Sequence, residues 1–157
     1  MFRSILVPVD GSTHADRALA EASELAGPLG ASLTVMTSVP DLTAWTAWAG
    51  TVSADVLQTA MYESAQKYRE ILDEAITRLP PDLEVTTVLA RGRAGPAIVE
   101  QVEKGDHDLV VIGSRGRGDA ASFVLGSVSH YVVHSGRVPV LIVHAAGPRS
   151  QADGDEA

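Results

Sequence analysis

Along the chain, short apolar runs alternate with longer stretches whose apolar residues recur at helical spacing. Ile5 to Val9 is a compact apolar run that stops at Asp10-Gly11-Ser12, the pattern of a buried strand followed by a turn and a helix N-cap. Apolar or small residues at 15, 18, 19, 22, 25 and 26 then predict a helix, which Gly27-Pro28 and Gly30 are expected to end. Leu33 to Val39 predicts a second strand closed by Pro40. Positions 57, 61, 64, 68, 72, 75 and 79 share one face of a long helix from about Ala54 to Leu79, with Pro80-Pro81 as its stop. Glu84 to Ala90 alternates as a third strand, and Gly92 to Gly95 is a turn. Pro96 suits a first helical position, and Ile98 and Val102 face inward until Gly105. Leu109 to Gly113 is continuously apolar, as a strand buried on both faces requires. A last helix from Ser127 to about Ser135 and a strand from Val138 to Val143 complete the pattern.

Strands that alternate with helices in this way require parallel pairing with right-handed crossovers. The chain is therefore read as α/β: an open five-stranded parallel sheet with helices on both faces. Ligands of such sheets bind at the carboxyl ends of the strands, where strand order reverses. The ends of strands one and four meet there, which brings Asp10 beside the stretch Gly113 to Ser127.

Two segments carry no such periodicity. Asp41 to Ser53 is read as a partly apolar loop; its Trp45 and Trp48 either pack or cover a pocket, and the sequence leaves both open. After His144 the residues are small, polar and acidic with no apolar face, so residues 1–145 are expected to form the domain and 146–157 a disordered acidic tail.

Composition narrows the function. With 157 residues, 45% of them hydrophobic, the chain has the material for one well-formed core. Twelve Lys+Arg against twenty Asp+Glu give a formal charge of −8, which argues against direct nucleic-acid binding or attraction to an anionic membrane. There is no cysteine, hence no disulfide framework or thiolate metal site. No basic-apolar leader opens the sequence and no apolar run approaches the ~18 residues of a membrane span, so a cytoplasmic location is expected.

The chemistry is concentrated in LVVIGSRGRGDAASFVLGS, residues 109–127. Glycines at 113, 116, 118 and 126 punctuate the passage from a buried strand to a helix, and a backbone without Cβ atoms can approach an anion while the amides at a helix start point toward it. Arg115 and Arg117 supply local positive charge within an acidic chain. Ser127 is suited either to cap the following helix or to bind a phosphate oxygen. Asp10 similarly suits either a helix cap or a magnesium contact. His130 and His134 stand i, i+4, but no third ligand accompanies them in sequence, so they are read as polar-face residues; His14 and His107 are isolated and are given no site.

The spacing Gly113-x-x-Gly116, nine residues, then Gly126-Ser127 resembles the nucleotide motif of the ATP-binding universal stress proteins. ILVPVDGS near the start, LVVIGSRGRG, LGSVSHYVV and VPVLIV are similar to that family's signatures in the family's order, over Phe2 to His144. The resemblance implies strand order 3-2-1-4-5, the adenine nucleotide alpha hydrolase-like arrangement. It implies that Gly113, Gly116, Gly126, Ser127 and Val128 hold ribose and phosphates, with Ser114 and Arg115 between them. Asp10 would then reach a ribose hydroxyl or the Mg²⁺ on ATP, Pro8 and Val9 form the floor, and Ser38 lies at the adenine edge. The implied role is an ATP- and Mg²⁺-binding regulator of stress response or dormancy, a homodimer through strand five that acts on an unidentified regulatory protein. A slow ATP hydrolase, or a dimeric stress protein without nucleotide that works through protein partners, are the alternatives. A response-regulator receiver is excluded because strand one ends in a lone Asp10, strand three in Ala90-Arg91-Gly92 and strand five in His144-Ala145. An adenylating or sulfur-transfer enzyme needs a longer glycine-serine loop than Asp10-Gly11-Ser12.

Overall fold

The computed structural model of the chain describes residues 1–43, 52–116 and 125–144. Trp45, Trp48, Arg117, Gly118 and the acidic tail lie outside the described residues. The elements are β1 (Ser4–Pro8), α1 (Thr13–Leu29), β2 (Ser32–Val39), α2 (Ala54–Thr77), β3 (Val85–Arg91), α3 (Ala94–Lys104), β4 (Leu109–Gly113), α4 (Ser127–Ser135) and β5 (Val140–Val143). All four pairings are parallel, and the strands lie in the order β3-β2-β1-β4-β5.

Strand alternation divides the core into two layers. Odd-numbered Ile5, Val7, Leu33, Val35, Leu109 and Val111 pack against α1 and α2 through Ala18, Leu19, Ala22, Ile71 and Leu72. Even-numbered Leu6, Met36, Val110 and Ile112 pack against α3 and α4 through Ala97, Ile98, Val102 and Val132. β4 is buried at all five positions, which accounts for its unbroken apolar sequence.

Several boundaries differ from expectation for identifiable reasons. α1 runs through Gly27 and Pro28 and stops at Gly30, whose φ of +61° closes a Schellman motif: Gly30 N–H donates to Gly27 C=O at 3.1 Å and Ala31 N–H to Ala26 C=O at 3.0 Å. Pro28 is tolerated because it falls in the last turn. Gly95 belongs to α3 rather than to the turn before it, and a Cβ there would stand 2.7 Å from the Tyr131 ring, so this glycine sets how closely α3 and α4 approach. Pro96 is accordingly the third helical residue, still within the turn whose amides lack helical acceptors. β5 begins at Val140, and Val140 and Ile142 face the α3/α4 layer while Leu141 stays 40% exposed.

The lower edge of the sheet is tied by the α3–β4 turn. Asp108 accepts the Arg3 N–H at 2.8 Å and the Ser4 N–H at 3.0 Å, and its own N–H donates to Ser4 C=O at 3.0 Å. Burial pushes the Asp108 carboxyl up, but the two amides outweigh it and leave it below the ordinary carboxylate value. His107 sits 2.8 Å from Ser4 Oγ through Nδ1 and 3.4 Å from Gln101 Nε2 through Nε2. Burial lowers its pKa, opposed by the charges of Asp108 and Asp106.

The sign of the resulting pH dependence follows. Above the unfolded histidine value of about 6.5, both states are neutral at His107 and its contribution is complete; below it the unfolded chain takes a proton that the folded chain resists, so stability falls with pH. His107→Gln is expected to flatten the decline in melting temperature between pH 7 and pH 5 relative to wild type. Parallel slopes for the two proteins would show that another group governs it.

Candidate functional site

The carboxyl ends of β1 and β4 lie side by side at the switch point, and above them opens a cavity of about 850 Å³. Each strand end contributes one wall.

From β1 the chain passes through Pro8, Val9 and Asp10, all of which border the cavity. Gly11 takes φ +77°, and the turn lets Asp10 Oδ1 accept the Ser12 N–H at 2.9 Å. Ser12, not Asp10, caps α1: its Oγ accepts the Ala15 N–H at 3.2 Å. Asp10 Oδ2 is left facing Gly116, where a Cβ would lie 2.8 Å from it.

β4 leads into Ser114, a junction between four elements. Its N–H donates to Val143 C=O at 2.8 Å, and its C=O accepts both the Gly126 N–H at 2.7 Å and the Ser129 hydroxyl at 3.0 Å. Its own hydroxyl meets His14 Nδ1 at 3.1 Å, on α1. Ser114 is 1% exposed and, unlike the other expected contacts, does not border the cavity; its hydroxyl meets His14 and helps hold the loop ends together. His14 and Ser129 complete this network, and no spacing rule in the sequence pointed to either.

α4 begins at the cavity with Gly126 as N-cap, φ −61° and ψ 157°, and no side-chain cap. Its first helical bond is from His130 N–H to Gly126 C=O at 2.9 Å, which leaves the amides of Ser127, Val128 and Ser129 without helical acceptors. Ser127 is exposed at the first helical position, so it is not the cap. Gly113, Arg115 and Gly116 border the same end.

β2 supplies the opposite wall. Ser32 N–H donates to Arg3 C=O at 2.9 Å and Met36 C=O accepts the Val9 N–H at 2.8 Å, so even-numbered backbone groups of β2 face β1. The amide and carbonyl of Ser38 therefore face the same way, above the end of β1, while the Ser38 hydroxyl donates to Gly92 C=O at 2.7 Å. Tyr68 and Arg93 also border the cavity, and the sequence reading had neither as a contact; Thr37 borders it too, in the strand end whose backbone the resemblance sets at the adenine edge. Arg93 follows β3 as Asp10 follows β1, so the rule that ligands gather at strand ends reaches it. Asp41, on the rim, is held below the usual carboxylate range by hydrogen bonds from Thr43, with Arg91 adding to the effect.

All the expected contacts except Ser114 thus share one cavity: Pro8, Val9, Asp10, Ser38, Gly113, Arg115, Gly116, Gly126, Ser127 and Val128. The His130 and His134 rings lie parallel with centroids 6.4 Å apart, and among the described residues no three metal-ligating side chains cluster. Nor, among those residues, is any helix long and apolar enough to cross a membrane.

Residues 1–144 match the model of the universal stress protein family. A Thermus aquaticus protein described as a universal stress protein in the QAH/OAS sulfhydrylase 3′ region is 36% identical over 148 residues, covering 91% of this chain and 99% of that relative. Among solved structures, universal stress protein UspA from Lactobacillus plantarum is similar with a TM-score of 0.73 at 24% identity, covering 90% of this chain and 97% of its own. A universal stress protein in complex with cAMP gives a TM-score of 0.61 at 25% identity, over 92% and 98% of the two chains.

Proposed function

The chain belongs to the universal stress protein family, and from that premise we propose that it is a nucleotide-dependent regulator that binds ATP with Mg²⁺ in the cavity above β1 and β4. The observation that carries this reading is the uncapped start of α4: three amides without helical acceptors face a cavity that glycine ends and Arg115 also border. Such a place favours a phosphate chain. Asp10 Oδ2, opposite Gly116, is suited to a cation bound by those phosphates. The backbone of Ser38 suits the edge of a base. The neighbour solved with cAMP supports an adenine nucleotide as the ligand class.

Regulation is favoured over turnover. Among the described residues, those that border the phosphate end include one carboxylate, Asp10, already engaged with the Ser12 amide, and no base held by a second group. Hydrolysis, where it occurs, is therefore slow and rests on polarised phosphates. Calorimetric titration of MgATP into the purified protein tests the reading, together with mass analysis of any small molecule released on denaturation. Saturable binding at one site per chain is expected; no binding at millimolar MgATP leaves the cavity without this function.

A homodimer through β5 belongs to the same proposal, since β5 closes one edge of the sheet with Leu141 exposed. Val140 and Ile142 point into the α3/α4 layer, so lysines there would damage the core rather than report on pairing. Leu141→Lys is the informative change. Wild type is expected to sediment as a dimer at micromolar concentration and Leu141→Lys as a folded monomer; a monomeric wild type rejects the pairing.

A further inference from the structure

Thr37 lies near the carboxyl end of β2 on the odd-numbered face, the one that carries Leu33 and Val35 against α1 and α2. It is 3% exposed and borders the large cavity, with Tyr68 of α2 on the same side of the sheet. Among the described residues its hydroxyl has no hydrogen-bond partner. Yet every side-chain polar atom that is fully sealed in those residues has one. The Thr37 hydroxyl is therefore not sealed, and the opening it has is the cavity. A valine would match its shape, suit a strand at least as well and avoid leaving a polar group unpaired. Thr34, also buried, shares the lack of a protein partner among those residues but lies away from the cavity, so what sets the Thr37 hydroxyl apart is its place on the cavity wall.

We propose that the Thr37 hydroxyl is a ligand-contacting, specificity-determining group that reads the nucleobase, an inference that rests on the nucleotide reading above. Position selects the base. β2 is two steps from β4 in the sheet, about 10 Å at the usual interstrand spacing. A nucleotide with its phosphates on the α4 amides therefore presents its opposite end at β2. A hydroxyl donates to a ring nitrogen or accepts from an exocyclic amine. The neighbouring Ser38 hydroxyl is committed to Gly92 C=O and leaves this contact to Thr37.

The test is Thr37→Val, titrated with MgATP and, separately, with adenosine. Thr34→Val is the control: the same residue type in the same strand, also buried, but on the other face and away from the cavity. Thr37→Val is expected to weaken MgATP and adenosine by the same factor, about threefold to tenfold for one hydrogen bond. The ligand-free variant is expected to melt at or above the wild-type temperature. A purely structural threonine cannot lose affinity while keeping or gaining stability, and Thr34→Val is expected to leave both affinities unchanged. Unchanged binding in Thr37→Val overturns the proposal while the nucleotide reading stands. A loss confined to MgATP also overturns it, because the contact would then be to phosphate. Failure of wild type to bind either compound overturns both readings.

Discussion

Gly113→Val is expected to destabilise the fold by about 3 kcal/mol, lowering the melting temperature by about 6–12 °C for a domain of this size. Gly113 does not adopt a positive φ, so torsional freedom is not what holds a glycine there. Space is. A Cβ would stand 2.7 Å from the His14 carbonyl carbon, 2.8 Å from its oxygen and 2.9 Å from its Cβ. The receiving group is the backbone of the first turn of α1, fixed by the Ser12 cap, and it cannot swing aside as a side-chain tip would. α1 must therefore lift from β4, which strains the Ser114 junction as well. Gly27→Ala is the contrasting change: Gly27 is exposed within α1 with nothing near its missing Cβ, so an alanine should stabilise by about 0.5–1 kcal/mol. Urea denaturation of the three proteins measures both effects. Similar small shifts of one sign would show that α1 does not press on β4 as closely as these distances state.

Much of this architecture was legible because it rests on period. The β-branched runs at Ile5, Leu33 and Leu109 and the helical spacing after Thr13 and Ala54 each report one buried face, and alternation of strand and helix leaves little choice but a parallel sheet. The site was legible as a place through the resemblance, which implied the strand order that sets the switch point and named the residues around it; ten of those eleven residues border one cavity. What the sequence could not convey is where side chains of short polar residues point. Asp10 and Ser12 compete for one cap, and the left-handed turn at Gly11 decides in favour of Ser12. Ser114 sits between two loop glycines yet turns toward His14, one hundred residues away in sequence. Thr37 lies within an apolar run and looks like core until its partner-free hydroxyl and the cavity are seen together. Local pattern records burial well and orientation poorly, because orientation is set by contacts between distant elements.

Gly126 is the position at which the nucleotide reading is most exposed to test. It is buried, it borders the cavity, and both of its backbone groups are used: the N–H donates to Ser114 C=O at 2.7 Å, and the C=O accepts from His130 N–H and from the Ser129 hydroxyl. Its φ of −61° and ψ of 157° are open to any residue, so backbone conformation does not require a glycine there. Gly126→Val keeps the backbone bonds and a conformation that β-branched residues favour, and it acts by occupying space. A phosphate chain displaced from the α4 amides loses several charge-assisted hydrogen bonds at once, each about 1.5–3 kcal/mol. Binding should then fall below detection in calorimetry at millimolar MgATP in a variant that circular dichroism shows to be folded. Ser127→Ala removes one hydroxyl and leaves the amides in place, so it should cost no more than about 1–3 kcal/mol. That ordering, near-complete loss at Gly126 and partial loss at Ser127, separates a site built from backbone amides from one built from a serine side chain. Undiminished binding by a folded Gly126→Val protein would place the ligand away from α4 altogether.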